Sequence, residues 1–268
     1  MGKKADKWDI VNIRDNEGKS SWPQKNSEEA INRVEKSISH ESFQKEYCNN
    51  PMDGGDTFKE LLFDKCPMLK TCDAVVIYAD PSPSESESKK SSYKAIVLIG
   101  RKGLKYYIYK VWLNQMGNAA FCEFLFEAYD ICKKAGVDTV YIYIENNTLQ
   151  NPFYEQVLLP HIYRISNEKN IFLPVRPDDR KKPAKPVRVE GTLEPLNRNG
   201  NLIFNKIEEN NPHMIRLAAQ FTSFTMKAKM IDGPDAVEGG VKIIQDKDIS
   251  TAAGAIEFSE RKTSKHRL

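Results

Sequence analysis

Residues 74–78 form a short apolar run that closes on Asp80-Pro81-Ser82, and residues 137–144 form a second that closes on Glu145-Asn146-Asn147. Runs of this length are the mark of strands buried in a sheet, and Val140, Ile142 and Ile144 share one face of the second. Between them the chain reads as two more strands and a helix. Residues 93–99 and 104–112 are rich in Ile, Val and Tyr, and Gly100-Arg101-Lys102-Gly103 joins them as a hairpin. Asn118 opens a helix to about residue 135, with Phe121, Leu125, Ala128 and Tyr129 at helical spacing, and Gly136 stops it. A helix from Pro152 to about Asn167 and a short strand over 171–175 follow. This order predicts an α/β fold: a mixed five-stranded sheet, its first three strands antiparallel and the rest parallel, flanked by helices. An extra β-hairpin is expected around Asn199-Gly200, then a helix from Pro212 to about Thr225 and a last helix from Pro234 or Asp235.

Carboxylates at the C-terminal ends of parallel neighbours share one sheet edge, and open α/β sheets bind ligands outside such ends. Asp232-Gly233-Pro234-Asp235 adds a third acidic motif. Its two carboxylates lie three residues apart at a helix start, on nearly one face, and that end of a helix favours negative charge. Asp80, Glu145 and the Asp232/Asp235 pair are therefore a candidate ligand set of oxygens alone, suited to hard divalent ions such as Mg²⁺ or Mn²⁺. Two such ions roughly 3.5–4 Å apart cut phosphodiester bonds by stabilising the attacking and leaving oxygens. Each motif also has a plain structural reading, as a turn, a polar loop, or a turn with a helix N-cap. The metal reading gains weight because all three fall at element ends.

The rest of the chain narrows the choice. It has 268 residues, a net charge of +3 and a mean hydropathy of −0.57, so no bulk charge marks a nucleic-acid binder and distribution matters more. Arg176, Arg180, Lys181, Lys182, Lys185 and Arg188 cluster in a Pro-interrupted loop, and Lys181, Lys182, Lys185 and Arg188 are candidate contacts to DNA phosphates. Asp178 and Asp179 in the same stretch fit a merely solvated charge run as well. Five cysteines without a CxxC pair argue against a disulfide framework or zinc site. The histidines His40, His161, His213 and His266 are scattered, so nucleophilic triad chemistry has no support. No run is long enough for a membrane span, and no apolar stretch of a signal peptide follows the basic start.

These motifs have a familiar pattern. Asp80-Pro81-Ser82, Lys94-Ala95-Ile96-Val97, Ile144-Glu145-Asn146-Asn147 and, most specifically, Asp232-Gly233-Pro234-Asp235-Ala236-Val237-Glu238-Gly239 resemble the signatures of the nuclease domain of viral large terminase subunits. The resemblance runs from Trp8 to about Ile244. It implies a ribonuclease H-like fold and a two-metal endonuclease, using Mg²⁺ or Mn²⁺, that cuts concatemeric double-stranded DNA with little sequence specificity. It assigns catalytic and metal-holding roles to Asp80, Glu145 and the Asp232/Asp235 pair, with Asp235 the principal ligand of the pair. It also implies a phage or prophage protein of the host cytoplasm whose partners are DNA, the ATPase domain, the small terminase subunit and the portal. Ser21-Trp22-Pro23 and residues 43–51 are similar to the segment that joins the family's ATPase to its nuclease. Gly18-Lys19-Ser20 is no phosphate loop, because Ile13 stands where that motif needs glycine. The chain is thus read as a nuclease-side fragment or split subunit without ATPase activity. The expected division is an arm over 1–72, a nuclease domain over 73–246 and a flexible tail over 247–268. Many relatives carry an acidic residue where Ser92 stands, so no auxiliary ligand is expected there. Another ribonuclease H-like nuclease, acting on branched DNA or RNA hybrids, and a non-catalytic DNA- or portal-binding scaffold are the alternatives. An actin-like sugar kinase would share this sheet topology, but the sequence carries no Gly-rich phosphate loop to support it.

Overall fold

Val, Ile, Leu and Ala crowd the centre of the chain because the strands they form are covered on both faces. A computed structural model describes residues 11–15, 17–49, 57–82, 93–146, 151–228 and 230–260. The strands are β1 (Leu62–Asp64), β2 (Ala74–Asp80), β3 (Lys94–Lys102), β4 (Lys105–Asn114), β5 (Tyr141–Glu145), β6 (Val175–Asp178) and β7 (Leu202–Asn205). They form one sheet in the order β1-β7-β4-β3-β2-β5-β6. β2, β3 and β4 are antiparallel neighbours. Gly103, at φ +60°, turns the β3–β4 hairpin in the left-handed region that favours glycine. β5 lies parallel to β2, and β6 parallel to β5. The expected five strands are thus a contiguous block in the expected antiparallel-then-parallel order. β6 sits a few residues later than the run at 171–175.

The other edge of the sheet corrects two expectations. The sheet has seven strands rather than five, because β7 adds parallel to β4 and β1 adds parallel to β7. No hairpin forms around Asn199-Gly200. Instead α6 (Lys185–Arg198) ends there, Gly200 leaves it at φ +67°, and β7 follows. Gly191 and Pro195 make this segment look like a loop. Val189 and Leu193, four residues apart and fully buried against the sheet, override that local signal.

The N-terminal stretch is fastened to this frame. Helix α1 (Glu28–Ser37) starts at Ser27, whose hydroxyl accepts from the Ala30 N–H. Its last carbonyls are met from α6: Arg198 donates to Glu35 and Ile38, and Asn199 to Lys36. Ile31 of α1 and Phe43 of α2 (His40–Tyr47) are buried, and Phe58 packs edge-on against Phe221 and Phe224.

Side chains alternate along the strands, so each face has its own core. One face buries Val75, Ile77, Ile96 and Leu98 beneath α3 (Asn118–Lys134) and the run formed by α4 (Asn151–Phe153), a π-helical turn (Tyr154–Leu158) and α5 (Leu159–Lys169). Helix α3 takes Gly117 rather than Asn118 as its N-cap. The opposite face buries Val76, Tyr78, Val97 and Ile99 beneath α6, α7 (Pro212–Thr222) and α8 (Asp232–Glu260). Helix α8 starts slightly before the expected Pro234 and continues past residue 246, where the sequence loses its periodicity. The turn at 50–56, the loop at 83–92 with Ser92, Asn147 and the tail at 261–268 lie outside the described residues. Among the described residues no helix is long and apolar enough to cross a membrane.

Candidate metal centre

Parity and register bring the first two carboxylates together. Ala79 pairs with Ile144 across the parallel β2–β5 ladder, so Asp80 and Glu145 end neighbouring strands at the same edge. Both point to the α8 side, as Tyr78 and Tyr143 do. The buried ammonium of Lys94 donates to the Ser82 carbonyl and fixes the chain just past Asp80. Helix α8 begins beside this edge and supplies Asp232, Asp235 and Glu238 at successive i+3 positions. Asp80, Glu145 and Asp235 are all buried, and each has an oxygen within 4.8 Å of the others. Asp232 stands next to this trio, with Oδ2 accepting from the Tyr93 N–H at 3.0 Å.

Glycines let α8 come this close. A Cβ on Gly239 would lie 2.4 Å from the Tyr78 ring, one on Gly240 2.7 Å from Ile99, and one on Gly233 2.7 Å from Leu217. The Gly233 N–H also donates to Gln220 Oε1 at 2.8 Å. The glycines of the Asp232–Gly239 motif are thus as much part of the site as its acids.

Basic side chains converge on the same point, which changes the picture of the basic stretch. Lys185 Nζ lies 2.8 Å from Asp235 Oδ2, 3.0 Å from Asp80 Oδ2 and 3.5 Å from Asp232 Oδ1. Arg188 is buried on α6. Its Nε donates to Asp235 Oδ1 at 2.7 Å, its Nη2 contacts the same oxygen, and it lies 3.5 Å from both Glu145 Oε1 and Glu238 Oε2. Lys182 Nζ sits 2.9 Å from Asp178 Oδ2 and 3.3 Å from Glu145 Oε1, and donates to the Tyr78 hydroxyl at 2.5 Å. That hydroxyl donates to Asp178 Oδ2 at 2.6 Å. Arg180 grips Asp178 through Nε and Nη2. Lys181 alone of the four candidate phosphate contacts is exposed. Arg188, expected on a loop facing DNA, is a correction: its guanidinium is enclosed by carboxylates on a helix.

The surroundings set the protonation of these acids. Burial raises the Asp80 carboxyl to about 7, against the pull of Lys185 and with the repulsion of Glu145, Asp235 and Asp232. Burial likewise raises Asp232 and Glu238, opposed by Lys185 and Arg188 respectively. Burial also works against ionised Asp178, but Arg180, Lys182 and Tyr78 outweigh it and hold its pKa well below the usual range. For Lys185 burial disfavours the charge, and Asp80, Asp235 and Asp232 more than restore it, so its pKa is raised.

A raised pKa on Asp80 has a stability consequence. Its protonated form is favoured in the fold, so the contribution is full below the ordinary carboxylate pKa and is lost as pH rises through about 7. Asp80→Asn removes that loss. In chelator, the variant should gain on the order of 2 kcal/mol relative to the parent between pH 5 and pH 8, since one pKa unit corresponds to about 1.4 kcal/mol. Denaturation at the two pH values measures this, and parallel pH profiles would show that Asp80 ionises at little cost.

The residues fit a divalent ion. The donors are hard oxygens on three separate elements, and Glu145 Oε2 is buried without a hydrogen-bond partner among the described residues. An orphaned carboxylate oxygen beside two other carboxylates is what a cation would satisfy. Glu238, Asp178 and Tyr78 went unrecognised as site residues in the sequence. Glu238 had a signal, the i+3 step from Asp235. Asp178 had none once the last strand was placed at 171–175.

No family model matches the chain, and no curated protein sequence does. Solved structures do match. The large terminase of the thermophilic bacteriophage D6E aligns with a TM-score of 0.54 at 11% identity, over 82% of this chain and 53% of that one. The chain therefore spans about half the length of that protein. The nuclease domain of human cytomegalovirus terminase, from a Mn-soaked crystal with bound inhibitor, aligns with a TM-score of 0.50 at 16% identity, over 70% of this chain and 91% of that domain. At such identities the likeness is one of architecture, and the architecture of this chain is the ribonuclease H-like α/β fold of terminase nuclease domains.

Proposed function

We propose that this chain is the nuclease portion of a viral DNA-packaging terminase, a metal-dependent endonuclease that cuts concatemeric double-stranded DNA with little sequence preference. The observation that carries this reading is the buried trio Asp80, Glu145 and Asp235, with oxygens within 4.8 Å of one another and Glu145 Oε2 unpartnered among the described residues. Asp80, Glu145 and Asp235, with Asp232 as a further ligand, would hold two Mg²⁺ or Mn²⁺ ions. Such ions, when bound, supply a nucleophilic water near neutral pH and stabilise the leaving oxygen. The chain's own part is to hold the carboxylates rigid. Arg188 orients Asp235, Glu145 and Glu238, while the Tyr78–Asp178–Lys182 network orients Glu145. Lys181, which is exposed, and Lys185, which is partly exposed, are the side chains we assign to DNA phosphates, in place of the enclosed Lys182 and Arg188. The ATPase domain, the small terminase subunit and the portal are its proposed partners, and the host cytoplasm its proposed setting. Arm, nuclease domain and tail remain the proposed division at residues 72 and 246.

Incubation of supercoiled plasmid with the chain and Mn²⁺ or Mg²⁺ tests this reading. The expected result is nicking and linearisation that chelator abolishes. Cutting undiminished by chelator would sink it. Preference for branched DNA or RNA hybrids would move the assignment to another ribonuclease H-like nuclease. DNA binding with neither cleavage nor metal binding would make the chain a scaffold.

A further inference from the structure

The role of Lys185 goes beyond holding DNA. Its ammonium lies within 3.0 Å of both Asp80 Oδ2 and Asp235 Oδ2, two of the three carboxylates that would hold metal, and 3.5 Å from Asp232. An ion coordinated by Asp80 and Asp235 and this ammonium would compete for the same oxygens. The three basic groups around the trio are not equivalent in freedom. The side chains of Arg188 and Lys182 are 7% and 13% exposed, whereas that of Lys185 is 40% exposed. Lys185 is also the first residue of α6, with Pro186 behind it, so its backbone is fixed while its flexible four-carbon stem has an open route outward.

Charge balance points the same way. Asp80, Glu145, Asp178, Asp232, Asp235 and Glu238 face Arg180, Lys182, Lys185 and Arg188, a deficit of two positive charges when all are ionised. One divalent ion fills that deficit with Lys185 in place. A second overfills it, unless Lys185 departs and a phosphate enters.

We propose that Lys185 is a resident counter-cation: its ammonium occupies one cation position between Asp80 and Asp235, and it swings to a DNA phosphate when a second divalent ion takes that position. The inference rests on the metal-site reading above. It implies that the second ion binds only weakly until DNA is present to receive the lysine, so the site is restrained until substrate arrives.

Mn²⁺ titration by calorimetry at pH 8, without DNA, tests it on the parent chain, Lys185→Met and Lys185→Arg. The parent and Lys185→Arg should bind one ion. Lys185→Met should bind a second, with an overall gain in affinity of about tenfold or more, the order expected for removing one like charge at this range. Equal stoichiometry and affinity in the parent and Lys185→Met would overturn the lysine's role while leaving the metal site standing. No Mn²⁺ binding by any of them would overturn both. A second measurement needs no variant: an amine-reactive label read by mass spectrometry on the parent chain. Mn²⁺ far above the range of the titration, where the weak second ion binds, should raise Lys185 labelling several-fold as the ammonium is expelled. Unchanged labelling while Mn²⁺ binds in full would overturn the exchange.

Discussion

Glu145→Gln should lower divalent-metal-dependent DNA cleavage on the order of 10²–10³-fold, the scale seen when one preorganised charge-stabilising group is removed. The substitution is close to isosteric. Glu145 Oε1 faces Lys182 at 3.3 Å and Arg188 at 3.5 Å, while Oε2 is buried without a hydrogen-bond partner. The glutamine can turn its carbonyl oxygen to the two cations and its amide nitrogen to the orphaned position. Metal is then met by a donor group instead of an anion, which removes both the ligand and the charge. The fold should persist, because Ile142 and Ile144 bury the strand irrespective of its last side chain. Plasmid nicking under Mn²⁺, beside near-ultraviolet circular dichroism to verify packing, separates the two effects. Cleavage at the parent rate in a folded Glu145→Gln protein would remove Glu145 from the ligand set and leave the proposed mechanism without its central observation.

What the sequence disclosed follows from which interactions are local. The block β4-β3-β2-β5 was legible because its strands are rich in buried apolar residues and their ends carry turn residues and carboxylates, whereas β6, Val175–Asp178, is half exposed and lies a few residues past the apolar run that announced it. Asp80 and Glu145 were legible as partners for the same reason: parallel neighbours of equal parity must deliver their last residues to one edge. β1 and β7 escaped notice. Each is only a few residues long, and each is a strand by virtue of its neighbour, with Leu62–Asp64 pairing Leu202–Asn205 across some 140 residues of chain. Helix α6 escaped because Gly191 and Pro195 speak against a helix locally, while burial of Val189 and Leu193 decides for one. That miss hid the inward turn of Arg188 and Lys185. On a loop they read as a surface for DNA. On helix α6 they face the acids, and only the fold shows that a basic run and three acidic motifs are one electrostatic unit.

Gly239→Ala should destabilise the protein by about 2 kcal/mol, the net of overpacking a rigid contact at about 1–3 kcal/mol or more and the roughly 1 kcal/mol gained in helix propensity. The added Cβ would lie 2.4 Å from the Tyr78 ring. That ring has nowhere to go, being fully buried with its hydroxyl held by Asp178 and Lys182. Helix α8 must therefore lift from β2, and Asp235, one turn earlier on the same helix, must lift with it. Mn²⁺ affinity should fall together with stability, although residue 239 touches no ligand oxygen. Gly191→Ala is the control. Gly191 lies in α6 with nothing within 4 Å of an added Cβ, so it should be neutral or gain up to about 1 kcal/mol and leave Mn²⁺ binding unchanged. Chemical denaturation and Mn²⁺ titration on both variants measure the pair of effects. If Gly239→Ala kept the parent's stability and metal affinity, close approach of α8 to Tyr78 would not be what sets the distance between Asp235 and the strand-borne carboxylates.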